Sequence, residues 1–447
     1  MTIKTINFAF VIMVGAAIMA FLVGGKAHAQ APLSHRDQAM VVDQLLEKRV
    51  QQLLPVLMRR ADIDMWVLIS REYNEDPVLR TLLPSDWFSA RRRTMLVLFD
   101  RGVNEEGEDL GIEALAVARY DVGSMFKKAW NPEQQPDQWG ALREIIAKRT
   151  PQRIGVNKSV DFAQADGLAA TDYQLLQQTL PENYRQRLVS AEQLAVGWLE
   201  TRIAEEIPYY QHAVAIAQGI IAEGFSDNTV TIGETTTTDL EWWFLAQIKQ
   251  RGLSAWFPPT VTLQRQGESA PRMANKVIRA GDLLHVDLGL TYLRLNTDTQ
   301  QHAYVLKTNE TQAPTSLTTA LAQANQLQDT LTKQFAVGRS GNTILHRTRS
   351  QALKQQLRPL IYSHPIGYYG HGSGPTIGMW DNQEGVAGSG DYPMYANTAY
   401  SIELSNTRYS EEWQQDVTIM LEEDAFFDGE RVDYLNGRQL QFHLIRE

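Results

Sequence analysis

The sequence predicts two mixed domains in tandem, an α/β domain over residues 36–195 and an α+β domain over residues 199–447. Three observations carry this prediction. Up to about residue 190, short apolar runs alternate with polar stretches of helical spacing, the pattern of strands separated by helices. From residue 360 onward, strands and glycine-rich loops dominate, after two long helical patterns. The chain of 447 residues also exceeds one ordinary domain, and an apolar share of 43% suffices to fill more than one core.

The first 29 residues carry the marks of a signal peptide. Lys4 supplies a positive start, residues 8–25 carry no charge, and Ala27-His28-Ala29 forms a small-x-small cleavage site before Gln30. The apolar run is also long enough to cross a bilayer, so an uncleaved anchor is the alternative. Either way the body of the protein is expected outside the cytoplasm, periplasmic or secreted, with no membrane span in the mature chain. There is no cysteine, so export brings no disulfide, and metal ligation must come from oxygen and imidazole.

Residues 30–37 read as a short linker, and Val41, Leu45, Leu53 and Leu57 mark the apolar face of a first helix. Strands are expected at 65–69, 94–99, 113–118 and 153–156, with 120–138 as a surface excursion rich in Trp, Pro and Gln. In the second domain Thr201 is placed to cap a helix ending near Gly224, and Pro208 marks either its true first turn or a kink. Thr238-Asp239-Leu240-Glu241 reads as a capping box for a helix stopped by Gly252. A strand is expected at 283–290 and helices at 315–335 and 342–356.

A formal net charge of -10 argues against a nucleic-acid partner, because neutralising phosphates needs basic patches. No glycine-rich phosphate loop or Ser/His/Asp triad stands out. The chemistry-bearing residues lie in the last third. Asp287 sits inside an apolar strand, where an unpaired carboxylate is costly unless it meets a cation. Asp298 follows eleven residues later, a spacing at which a hairpin can bring both side chains to one face. His364 and His371 form His-x-x-Gly-x-x-x-His, whose glycines allow close backbone approach to a ligand. Glu403 and Asp416 are acids on two further strands, and their thirteen-residue gap also fits a hairpin. Each residue alone is more often a surface ion pair or a loop residue. Together, four carboxylates and one imidazole suit two divalent cations that activate a water for hydrolysis.

At these residues the chain resembles the pita-bread metallopeptidase family, which includes Xaa-Pro aminopeptidase, prolidase, methionine aminopeptidase and the non-metal relative creatinase. The family's ligands run Asp, Asp, His, Glu, Glu. Asp287-x-Gly289 with Asp298 matches the first motif, His364 in Ser-His-Pro-Ile-Gly the ligand histidine, His371 the substrate-side histidine, and Glu403 the fourth ligand. Asp416 falls close to the expected fifth, a Glu. An alternative register puts Gln414 there, and another, through Gly370-His371-Gly372, makes His371 the ligand. The histidine expected near Ser269-Ala270 is absent, and Asp-x-Thr-Arg reads Asp298-Thr299-Gln300-Gln301, with His302 on the face of Asp298 by alternation and placed to substitute for a missing polar group.

The resemblance implies an α/β N-terminal domain followed by an α+β pita-bread (creatinase/aminopeptidase) catalytic domain. It implies metal ligation by Asp287, Asp298, His364, Glu403 and Asp416. The cofactor it implies is two divalent ions, Mn first, with Zn or Co as alternatives. His371 would polarise the carbonyl, and Glu403, with His302 as a further catalytic candidate, would manage protons. The partner it implies is a peptide or small amide substrate, cut at an N-terminal bond before proline, and the assembly a homodimer. Two other readings stay open on the same fold. One is hydrolysis of a non-peptide C–N bond. The other is a binding protein without catalysis, motivated by the missing Glu around Gln414–Asp416.

Overall fold

The computed structural model describes residues 31–268 and 272–446. The expected signal segment, 1–29, lies outside the described residues.

The first domain is built on a six-stranded mixed sheet. Its spatial order is Lys127–Lys128, Ile112–Ala116, Arg93–Asp100, Met65–Arg71, Ile154–Val156, Leu188–Ser190. The strand Met65–Arg71 is apolar without interruption from Met65 to Ile69 because both its faces are covered there. Trp66 and Leu68 meet Leu54, Leu57 and Met58, whereas Met65, Val67 and Ile69 meet Leu142, Ile146 and Leu176 on the other face. All four strands expected from sequence form. The first helix starts earlier than expected: Ser34 caps His35–Lys48, its hydroxyl accepting from the Asp37 amide at 3.2 Å, so the end of the supposed linker, residues 35–37, is helical. The helix then widens into a π turn, Arg49–Leu53, before Leu54–Arg60. Pro55 explains the widening, since it lacks the N–H that an α-helix would need there and its ring crowds the preceding turn.

In the second domain four small sheets lie between two helix pairs. Helices Ile207–Gly224 and Thr237–Gln250 pack through Ile216, Ile220 and Phe244 against Leu284, Val286 and Ala303. Helices Thr315–Thr332 and Gly341–Lys354 cover the other side, where Leu327 and Leu331 meet Tyr400, Ile402 and Leu404. Two cap expectations need correction. Thr201 is buried and bridges to Thr398; the helix proper begins at Ile207 after a 3₁₀ turn, Ala204–Glu206, with Pro208 in its true first turn. The second capping box sits two residues upstream of the expected one. Thr236 caps Thr237–Gln250, with Asp239 returning the bond to the Thr236 amide at 2.9 Å.

The domains meet at a buried ion network. Arg49 donates to the Thr201 carbonyl at 2.7 Å and to Glu206 at 2.6 Å, and Arg202 donates to Glu206 at 3.0 Å. Tyr368 lies under both guanidinium groups. Every charge there has an opposite partner, the condition under which burial of charge is tolerable.

Candidate metal centre

Four strands deliver the site. Leu283–Leu288 carries Asp287 and pairs antiparallel with Thr299–Val305, Gln300 opposite Asp287. Between them runs a tight ribbon, Leu290–Tyr292 against Leu295–Asn296, turned by Leu293 and Arg294 at positive φ. Asp298 therefore emerges immediately before the returning strand, beside Asp287 as the sequence spacing predicts. His364 begins a short strand paired with Thr398–Ser401, whose continuation is Glu403.

Asp416 does not join them. It lies half-exposed on Gln415–Leu421, opposite Tyr409, and Arg358 holds it in a fork at 2.7 and 2.9 Å. That guanidinium keeps its carboxyl below the usual range. Gln414 does not join them either: it sits in the turn at positive φ, its amide donating to the Glu411 carbonyl. The residue brought to the cluster is Glu422. The hairpin pairs Tyr409 with Asp416 and Leu404 with Leu421, and the same register carries Glu403 to Glu422.

His364 stands at the centre. Its Nε2 is 3.5 Å from Glu422 Oε1, 3.8 Å from Asp298 Oδ2 and 3.8 Å from Glu403 Oε2. Its Nδ1 donates to the Pro365 carbonyl at 3.0 Å, which leaves the Nε2 lone pair facing the carboxylates. Single ligand atoms of Asp287, Asp298 and Glu422 lie within 4.8 Å of one another, as do those of His364, Glu403 and Glu422. Glu422 is thus common to both groups. His371 forms a third such group with His364 and Asp298 but lies exposed to the cavity, edge-on to His364 at 4.8 Å and to Trp256 at 5.3 Å between ring centres. Of the two histidine registers, the geometry matches the one with His364 innermost. Gly370 permits the arrangement, since a Cβ there would lie 2.3 Å from the Trp256 ring.

The cluster is short of positive charge. Burial, then the charge of Glu422, pushes Asp287, Asp298 and Glu403 well above the usual carboxylate range. Asp287 Oδ1, Asp298 Oδ1 and His364 Nε2 are buried with no hydrogen-bond partner among the described residues. Unpaired buried acceptors of this kind are expensive. Hard carboxylate oxygens with one imidazole are the donor set for small divalent cations, so the residues present fit the metal group.

A hydrogen-bond chain supports the acids. Gln300 Nε2 donates to Glu403 Oε1 at 2.5 Å and to Glu422 Oε2 at 2.7 Å, while its Oε1 accepts from His285 Nε2 at 2.9 Å. Ser401 donates to Glu422 Oε1, and Asp424 accepts from the Asp298 amide at 3.1 Å. His302 lies on the expected face but cannot act in the cavity. Its Nδ1 donates to the Leu284 carbonyl at 2.9 Å and its Nε2 accepts from the Met420 amide at 3.0 Å. Burial pushes its pKa down to about 4, so it is a neutral strap between strands and not a proton carrier.

The site opens into a cavity of about 800 Å³, lined by His371, Asp287, Glu403, Arg272, Met379 and Trp380 among others. A larger space of about 980 Å³ at the domain junction lacks the acid cluster. No helix among the described residues is long and apolar enough to cross a membrane.

Comparison with known proteins agrees with this geometry. Residues 209–426 match the model of metallopeptidase family M24. No curated protein sequence matches the chain. Among solved structures, an X-Pro aminopeptidase from Thermotoga maritima superposes with a TM-score of 0.61 at 14% identity, covering 88% of this chain and 100% of that one. An Xaa-Pro dipeptidase from Bacillus anthracis gives 0.58 at 13% identity, over 93% and 100%. Dipeptidase PepE from Mycobacterium ulcerans gives 0.59 at 16%, over 92% and 99%. At such identities the likeness establishes the fold: an α/β domain followed by a pita-bread domain.

Proposed function

Because residues 209–426 match the model of metallopeptidase family M24, we propose that the protein is an exported Xaa-Pro aminopeptidase or dipeptidase working with two divalent ions, manganese first among them. One observation supports this above the others. Asp287, Asp298, His364, Glu403 and Glu422 converge with three orphaned acceptor atoms at the floor of a cavity. These five would hold the ions. Divalent cations in that position supply Lewis acidity and a water of lowered pKa.

The chain's own residues do the rest. Glu403, half-buried at the cavity floor, accepts the proton of the attacking water and passes it to the leaving amine as the C–N bond breaks. His371, held against Trp256, is kept neutral by burial and by His364; its N–H donates to the carbonyl oxygen as charge develops there. Gln300 and Ser401 keep the two glutamates from turning away. With Glu422 beside Glu403, the reading as a binding protein without catalysis loses the missing glutamate that motivated it.

Metal analysis by mass spectrometry on wild type and Asp287→Ala, followed by hydrolysis assays on Ala-Pro and Ala-Ala with manganese, tests the proposal. The expected result is about two ions per chain, loss of metal in the variant, and preference for Ala-Pro. Two bound ions without cleavage of either peptide would favour a non-peptide C–N substrate. No metal under manganese-replete conditions would sink the hydrolase reading. Export is tested by expression in a Gram-negative host: periplasmic protein whose first residue is Gln30 is the expected product.

A further inference from the structure

His371 is presented to the cavity by a segment that belongs to no helix or strand. Residues 370–374 read Gly-His-Gly-Ser-Gly, with glycine on both sides of the histidine. Glycines leave the backbone free to turn, so the aim of the imidazole depends on what holds the segment from outside. One bond comes from within the second domain, the Gly372 amide donating to the Pro365 carbonyl at 2.8 Å. Two further holds come from the first domain. Gln164 Nε2 donates to the His371 carbonyl at 2.8 Å, and its Oε1 accepts from the Ser373 hydroxyl at 3.1 Å. Two residues before His371, the Tyr369 hydroxyl donates to the Pro77 carbonyl at 2.7 Å.

Gln164 can serve as a fixed point because its own backbone is anchored. It sits in a single 3₁₀ turn, Ala163–Ala165, between Phe162 and Ala165, both buried in the first domain's core. Phe162 stands edge-on to Tyr392 at 5.3 Å between ring centres. The Ser159 hydroxyl accepts from the Phe162 amide at 2.8 Å and donates to Glu192 at 2.6 Å, which ties the turn to the helix Glu192–Glu200. A primary amide carries donors and an acceptor on one plane, and here both ends are used on the same loop.

We propose that Gln164 is a positioning residue for the hydrolysis described above: the first domain sets the aim of the His371 N–H by clasping the loop at His371 and Ser373, and is thereby a working part of the active site. This rests on the peptidase reading, since His371 has work to do only where a carbonyl oxygen develops charge. A donor of that kind is effective only while it points at the place the oxygen takes in the transition state. A misplacement of about an ångström costs on the order of a hundredfold in rate. The ground-state substrate makes less demand on the donor, so the loss falls on kcat and spares KM.

The test compares metal-loaded wild type with Gln164→Met, which keeps the length of the side chain and loses both bonds, and with Ser373→Ala, which loses one. On Ala-Pro with manganese, Gln164→Met is expected to lose about tenfold to a hundredfold in kcat, with KM within about twofold and metal content unchanged. Ser373→Ala should lose less. The Gln164→Met change made in a His371→Ala background should cost no more than about twofold, because Gln164 acts through His371. Hydrogen exchange read by mass spectrometry requires no turnover. Amides of residues 366–376 should exchange about tenfold or more faster in Gln164→Met, with the strands Leu283–Leu288 and Thr299–Val305 unchanged. A Gln164→Met enzyme with wild-type kcat, an equal loss in the His371→Ala background, or loop exchange identical to wild type overturns the proposal. If wild type cleaves no peptide while the loop of Gln164→Met exchanges faster, the peptidase reading fails and the clasp on the loop stands.

Discussion

Glu422 and Asp416 carry the same charge six residues apart, and their surroundings assign them opposite roles. Glu422 is buried among acids, hydrogen-bonded by Ser401 and Gln300, and faces His364. Asp416 is half-exposed and already matched by Arg358. On the proposed metallopeptidase reading, Glu422→Gln removes a charge from the ligand cluster, so metal content should fall by at least one ion per chain and kcat/KM by about a hundredfold or more. Asp416→Asn should keep both ions and activity within about twofold, and cost no more than about 1 kcal/mol in urea unfolding, since an exposed pair contributes little. Metal loss in the Asp416 variant with metal retained in the Glu422 variant would reverse the assignment. The same contrast separates the histidines: His364 keeps an unpaired nitrogen, whereas both nitrogens of His302 are consumed by strand backbone.

The hairpin that decides between those two acids shows what could be read from the sequence. Asp287, Asp298, His364 and Glu403 were legible because each sits in a local pattern of fixed spacing, and the strands of the first domain because their apolar runs are uninterrupted. The fifth acid was not, because its position depends on where the hairpin turns. The polar run Ser410-Glu411-Glu412-Trp413-Gln414 marks that turn, and reflecting Glu403 through it lands on Glu422 rather than on Asp416. Arg272 carries no local pattern; it reaches the site only through folding against Met420, 148 residues away. Helix starts suffered from a smaller error of the same kind, since Thr236 and Thr238 both precede the apolar face and only the reciprocal bond with Asp239 distinguishes them. Thr236→Ala should therefore cost about 1 kcal/mol in urea unfolding. Thr238→Ala, already inside the helix with one long contact to Asn275, should cost a few tenths at most. Equal losses would place the cap elsewhere.

The two domains communicate through the end of one helix. Glu200 closes the helix Glu192–Glu200 at the domain boundary and is buried against the loop that carries His371: a Cβ on Gly374 would lie 2.8 Å from its Oε2. Its Oε1 accepts from the Tyr392 hydroxyl at 3.2 Å, and its Oε2 has no hydrogen-bond partner among the described residues. Burial pushes its pKa up to about 8, against the opposing pull of Arg60. The sign follows from linkage. Between the unfolded value near 4.5 and the folded value near 8, the folded protein holds a proton that the unfolded chain has lost, so this group makes stability fall as pH rises through that window, by about 1.4 kcal/mol per pH unit. Asp76, raised to about 6, and Glu423, raised to about 7, push in the same direction, so the total slope does not isolate Glu200. The difference from Glu200→Gln does, because both other acids are present in each protein. The amide keeps the neutral shape and cannot ionise. Urea midpoints at pH 5, 6.5 and 8 should show the variant gaining steadily on wild type as pH rises. A gap independent of pH would mean that Glu200 is already ionised in the fold, paired with Arg60. The gain matters for function because ionising Glu200 places a buried charge beneath the loop that presents His371. The alkaline fall of kcat/KM in wild type should accordingly move to higher pH in Glu200→Gln, at unchanged metal content.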